Sequence, residues 1–288
     1  MQEIKKHHKR LSKLRHCWCF FVMMFLMVAE GRHTLAQAIS ISPSRMFFTG
    51  EKGQELTQQV TLTNTGTTAL SFKASLMDWG RDSIGEKKYY PAGSQALSNA
   101  KWLEVTPSVV EIPPGSKQQV TVTMHVPADL PANAVTHSML FLTQINEQAN
   151  AKTSATHAAI GVIVKLEFGI HVYYTAPLIS KKDLDFLAFY NAGVKAAGNI
   201  QVHRVAVKVK NRGEVMTDGF ISFEVTNKNT GDEFKIPAKA ISMLPNDEQV
   251  IYVDLPITLT GHYLLVALLD AGDETNLKVA KKEVDFTN

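Results

Sequence analysis

Six histidines follow position 38 in this 288-residue chain: His125, His137, His157, His171, His203 and His262. None stands at a metal-ligand spacing from another histidine or an acidic residue, so they read as structural or solvated strand residues rather than as a metal centre. The acidic stretch LLDAGDETN at 268–276 offers Asp270, Asp273 and Glu274 as oxygen ligands for calcium, but its composition equally makes a polar hairpin turn. The turn is the reading adopted. Both cysteines, Cys17 and Cys19, lie close to the N-terminus, and no G-x-S-x-G elbow, phosphate-binding glycine loop or zinc helix occurs. With no converging nucleophile, base and ligand set, the sequence predicts a protein that is not an enzyme and requires no cofactor and no metal. One charge is left to explain. Arg45, in SPSRMFF, is flanked by apolar residues, and on its motif alone it reads as an edge-strand cation that discourages unwanted pairing.

The elements that would position such residues begin only after residue 38. The first 38 residues run from a basic stretch through an apolar run, Cys17 to Ala29, to the small-residue site Ala36-Gln37-Ala38. That is the layout of a secretory signal peptide, with an apolar run shorter than the roughly 20 residues a membrane-spanning helix needs. Cleavage after Ala38 would start the exported protein at Ile39 and remove both cysteines, leaving neither a disulfide nor thiol chemistry. It also changes the charge. Residues 1–38 hold seven of the 30 Lys and Arg and two of the 27 Asp and Glu, so the remainder carries 23 against 25, a net charge of −2. The basic pI belongs largely to the leader, and no basic patch interleaved with aromatics suggests nucleic acid.

The rest of the chain alternates. ELTQQVTLTN, ALSFKASLM and QQVTVTMHV keep apolar residues on one parity and polar ones on the other, separated by turn residues in NTGT (64–67) and PPGS (113–116). A second copy follows, VTLTNTG (60–66) being echoed by VKVKNRG (207–213), and EIPPGSKQQVTVTMHVP (111–127) by MLPNDEQVIYVDLP (243–256). The expected fold class is all-β, two tandem immunoglobulin-like β-sandwiches at 39–176 and 177–288 behind a signal peptide at 1–38. The most unusual segment is AAIGVIVKLEFGIHVYYTAP (158–177), apolar at Ile160, Val162, Val164, Leu166, Phe168, Ile170, Val172 and Tyr174. At about 15 residues it far exceeds the ordinary strand of about 5–6. Its outer half either covers something outside the domain or, because Ile163 makes both parities partly apolar, runs through a sheet covered on both faces.

SRMFF, KWLEVTPSVVEIPPGSKQQVTV (101–122), VPADLPANAVTHSMLFLTQI (126–145) and the long strand ending in IHVYYTAP come in the order, and span nearly the whole length, of a known domain. In these features residues 39–177 resemble the PapD-like periplasmic pilus-assembly chaperones. The WLEVTP…IPPG pattern is shared by a surface-protein domain of the WxL class, and the second domain is only generically Ig-like or CARDB-like. The chaperone resemblance implies that the long strand is lent to an incomplete pilus or surface-protein subunit, with Ile160, Val162, Val164 and Leu166 filling its groove. It further implies that Arg45 and the residue at His171 anchor the subunit's terminal carboxylate, and that Thr106-Pro107 is a cis turn. His171 departs from the family lysine, since a neutral imidazole offers one N–H and no charge. The implied partners are protein subunits and an outer-membrane usher, with no nucleic acid and no small-molecule cofactor, and the implied location is the periplasm. The alternative is a secreted or cell-surface Ig-like protein that binds another protein or a cell-wall component.

Overall fold

In the computed structural model, which describes residues 39–146, 165–272 and 277–287, the alternating segments are strands, joined by turns and one short 3-10 turn at Ala100–Trp102. The fold is all-β. Among these residues no helix is long and apolar enough to cross a membrane.

The first sandwich pairs two sheets. One has the order β1 (Ile39–Ser42), β3 (Glu55–Asn64), β8 (Lys117–His125), β6 (Leu103–Thr106). The other has the order β2 (Arg45–Thr49), β10 (Glu167–Thr175), β9 (Val135–Gln144), β4 (Leu70–Arg81), β5 (Lys87–Pro91), with β7 (Val109–Ile112) also pairing with β4. Val60, Leu62, Val120, Val122 and Met124 from the first sheet are buried, as are Phe48, Phe72, Leu140, Leu142, Ile170 and Val172 from the second. Each such side chain contributes about 1.5–3 kcal/mol by leaving water, and this burial fixes the strand register, since a one-residue slip would turn every one of them outward.

The second sandwich repeats the plan, with β11 (Leu184–Ala197), β12 (Ile200–Asn211) and β15 (Glu248–Pro256) in one sheet. The other sheet has the order β14 (Glu233–Met243), β13 (Thr217–Asn227), β16 (Gly261–Asp270), β17 (Lys278–Phe286). Its core joins Val205, Val207 and Val209 of β12 to Ile221, Phe223 and Val225 of β13 and Leu265 and Leu269 of β16.

The sequence echo has a structural counterpart in both halves. Asn64 donates to the carbonyls of Thr68 and Ile112 and accepts from Gly66 N–H, and Asn211 donates to Val215 and Met243 and accepts from Gly213 N–H. Each buried amide thereby ties the end of one strand to the end of another. The two proline turns also correspond. Ser116 N–H donates to the Pro113 carbonyl and Asp247 N–H to that of Leu244, with Gly115 at φ 66° and Asn246 at φ 66° in the third position, where a type II turn requires a left-handed residue. The Thr106-Pro107 bond is cis, as is Ser42-Pro43.

Candidate functional site

The parallel pairing of β2 with β10 sets Arg45 beside His171 and Phe47 beside Tyr173. Across β10, His171 faces Met139 of β9, which in turn faces Met77 of β4. Side chains of one parity share a face of a sheet, so these residues stand together on the outer face of the first sandwich. The β4–β5 hairpin extends the face, pairing Trp79 with Tyr89 and Arg81 with Lys87.

Trp79 is the centre of this surface. It is 1% exposed, donates its indole N–H to the Ser138 carbonyl at 3.1 Å, and meets His171, His137 and Tyr173 edge to face with ring centroids 4.9, 5.1 and 6.3 Å away. The Arg81 guanidinium lies 5.5 Å and the Lys87 ammonium 5.9 Å from its ring, within reach of the ring's negative face. Arg81 donates to the Gly85 carbonyl at 2.8 Å, which holds the hairpin loop, while its Nε is buried without a hydrogen-bond partner among the described residues.

The electrostatics are those of a site with surplus positive charge. Burial, then Lys87, Arg45 and Arg81, holds the His171 imidazole down to about 4, so this ring is neutral at neutral pH. Burial, then Arg81 and Arg45, also lowers the Lys87 ammonium. Lys239 adds a fourth cation at the cleft. Against these stand three carboxylates: Asp218 of β13, which forms an ion pair with Arg45, Glu86 in the cleft lining, and Asp247, pushed up by burial against the opposing pull of the Leu244 N–H and then Arg81. A cleft of about 820 Å³ opens here, lined by Arg45, Arg81, Asp218, Phe220, Lys239 and Tyr252 among others. Its chemistry suits an anionic group at the end of a partly apolar ligand.

Of the residues singled out in the sequence, Arg45 and His171 are brought together, but His171 enters as a neutral ring packed on Trp79. Sequence reasoning missed Trp79, Arg81 and Lys87. Their signal lay in DWGRDSIGEKKYY (78–90), where cations share a strand parity with Met77 and Trp79 in a hairpin. Leu166 is partly buried just ahead of β10, its carbonyl accepting from Gln144 N–H at 2.8 Å and its own N–H donating to the Gln144 side chain at 3.3 Å. Ile160, Val162 and Val164 lie outside the described residues, as do the leader at 1–38, Asp273 and Glu274. Asp270 accepts from Gly272 N–H at 2.8 Å, the contact of a turn residue.

The neutral His171 has a consequence for stability. Its pKa is depressed on folding, so the unfolded chain binds more protons between about 4 and the ordinary value near 6.5. The stability it confers is complete above the unfolded value and is lost as pH falls through that window. His137, lowered mainly by burial, acts in the same direction. The unfolding midpoint should therefore drop between pH 7 and pH 4, and His171→Gln should make that drop shallower even if it lowers the midpoint throughout. Denaturant unfolding across the pH range reads this out; an unchanged slope would show that His171 is not held neutral.

Residues 49–157 match the family model of an Fn3-like domain. No curated protein sequence matches this chain. Among solved structures, the chain is similar to the YadV chaperone at 14% identity and TM-score 0.47, covering 86% of this chain and 100% of that one. It is also similar to the CsuC–CsuE chaperone–tip adhesion subunit complex of Acinetobacter baumannii, at 15% identity and TM-score 0.43, covering 74% and 89%. The Pseudomonas aeruginosa CupB2 chaperone gives 14% identity and TM-score 0.40, covering 85% and 100%.

Proposed function

We propose that the protein is a non-enzymatic, exported chaperone that captures incomplete pilus or surface-protein subunits in the periplasm and seats the subunit's terminal carboxylate at Arg45. The observation that carries this reading is the rung on which Arg45 and His171 are direct neighbours, with Arg81 and Lys87 converging from the hairpin. Arg81 and Lys87 supply the charge that the neutral His171 lacks. The Arg45–Asp218 pair does not oppose the reading, because both side chains are partly solvated, at 35% and 53% exposure, and such pairs are worth at most about 1 kcal/mol. An incoming carboxylate can compete for the guanidinium. Once it is held, the register of the rest of the subunit strand along Leu166, Val164, Val162 and Ile160 follows, since alternate side chains enter a groove at fixed spacing.

The test is a synthetic peptide of alternating apolar residues with a free C-terminal carboxylate, compared with the same peptide amidated, by calorimetry. A hydrogen bond to a charged group is worth about 1.5–3 kcal/mol, so the free acid should bind about 10–100-fold more tightly. Arg45→Ala should erase the difference. Equal affinity of the two peptides for the wild type would refute carboxylate anchoring.

The neutrality of His171 favours a second reading, an exported cell-surface module of two Ig-like sandwiches that binds another protein or a cell-wall component. That reading expects no preference for the free acid.

A further inference from the structure

In β16, GHYLLVALLD, both parities are apolar. Tyr263, Leu265, Ala267 and Leu269 face the core, while Leu264, Val266 and Leu268 stand on the opposite face of the sheet, only partly buried. A strand apolar on both faces is ordinarily covered on both. Here the outer face continues the apolar stripe onto its neighbours, with Phe220 of β13 at 55% exposure, Val279 of β17 at 51% and Leu277, just before β17, at 55%. The outer face of β3 and β8 in the first sandwich, by contrast, carries Thr57, Thr61, Thr121 and Thr123.

The register identifies what would cover it. Glu224 of β13, Val266 of β16 and Lys281 of β17 lie on one rung, with Glu224 and Lys281 flanking the central strand on opposite sides. Lys281 has no carboxylate partner among the described residues, whereas Glu224 already holds Lys235 at 2.7 Å and has room for a second cation. A two-fold axis lying between two such faces, parallel to β16, exchanges the β13 side of one copy for the β17 side of the other. Val266 then meets Val266, Glu224 meets Lys281 twice, and Phe220 falls opposite Leu277. Apart from Asp270, which meets its own copy at the end of β16, the patch is complementary to itself in charge and apolar surface, which is the condition for a closed pair.

We propose that this outer face is a self-association surface on which a second copy of the chain packs sheet to sheet about an axis along β16. Aligned sheets pack at about 10 Å with their inner side chains interdigitated, which the intermediate-sized Leu264, Val266 and Leu268 permit. About an axis on β16 only β13, β16 and β17 overlap their counterparts, and over the length of β16 they outline roughly 500 Å², well below the roughly 800 Å² per partner of a standard interface, so the pair is weak and reversible. The face adjoins the carboxylate site at Phe220, which also lines the cleft beside Arg45, but Val279 and Lys281 do not line that cleft, so a failure of association at those positions would leave the proposed function untouched.

Sedimentation velocity of the purified protein at roughly 10–100 µM, the range in which an interface of modest size assembles, should show a monomer–dimer equilibrium. Val279→Glu, at an exposed position that folding tolerates, should leave only monomer with an unchanged unfolding midpoint. Lys281→Glu should weaken association about tenfold by opposing Glu224, and the double variant Lys281→Glu/Glu224→Lys should recover most of it. A wild type that remains monomeric throughout overturns the proposal and leaves the face to a different partner. A dimer indifferent to both Val279→Glu and Lys281→Glu overturns it too, since the pair would then form elsewhere.

Discussion

Trp79→Ala is expected to destabilise the first sandwich by about 3–5 kcal/mol, the range for removing a buried aromatic. The side chain is 1% exposed and closes the outer face of a sheet whose inner face is already core. Its removal leaves His137 and His171 without their edge-to-face partner and Arg81 and Lys87 without the ring that draws them together. It also strands the Ser138 carbonyl, which accepts the indole N–H. At about 2–8 °C per kcal/mol for domains of this size, the melting midpoint should fall by roughly 10 °C or more. Trp79→Phe keeps most of the packing and loses only the N–H, so it should cost markedly less. A midpoint within a few degrees of wild type for the alanine variant would mean that this surface is not an organised part of the domain. The variant should also lose discrimination between free-acid and amidated peptides, because the cations no longer converge on one point.

The second large effect is functional. If the segment before β10 is lent to a subunit, Val164→Arg should abolish capture while changing stability by no more than about 1 kcal/mol, since surface substitutions seldom unfold a domain. If the segment belongs instead to the domain's own core, the same change buries an unpaired charge and unfolds it. Melting curves set beside a pull-down with a defined pilin-type subunit separate the outcomes. A collapsed domain, or an intact one that captures the subunit as well as wild type does, would end the strand-lending proposal and favour the surface-binding module.

How much of this was legible in advance follows the range of the interactions concerned. The alternating strands were legible because their cause is local. Strands follow from the alternation of Val60, Leu62, Val120 and Val122, whose period of two needs no knowledge of the partner strand. The duplication followed from Asn64 and Asn211, each followed two residues later by a glycine, because an Asn side chain closing on a nearby N–H is a short-range device. The turn in PPGS (113–116) was legible for another local reason, since Gly115 takes the left-handed third position that its turn requires.

The site was legible only in part. Arg45 and His171 came from resemblance, but that they are neighbours on one rung is decided by the parallel pairing of β2 with β10, across more than a hundred residues of chain. Whether Arg45 is a protective edge charge or a ligand-facing one cannot be read from SPSRMFF, since Asp218 reaches it only when the whole chain is folded. The charge state of His171 is likewise a tertiary property. An imidazole in sequence is an ordinary base, and this one is held neutral because folding buries it and gathers Lys87, Arg45 and Arg81 around it. Pattern determined which residues face inward, since burial of alternate side chains is dictated by strand geometry. Which outward-facing charges meet is left to sheet register and hairpin pairing, because a Coulomb interaction depends on distances that the order of residues does not contain.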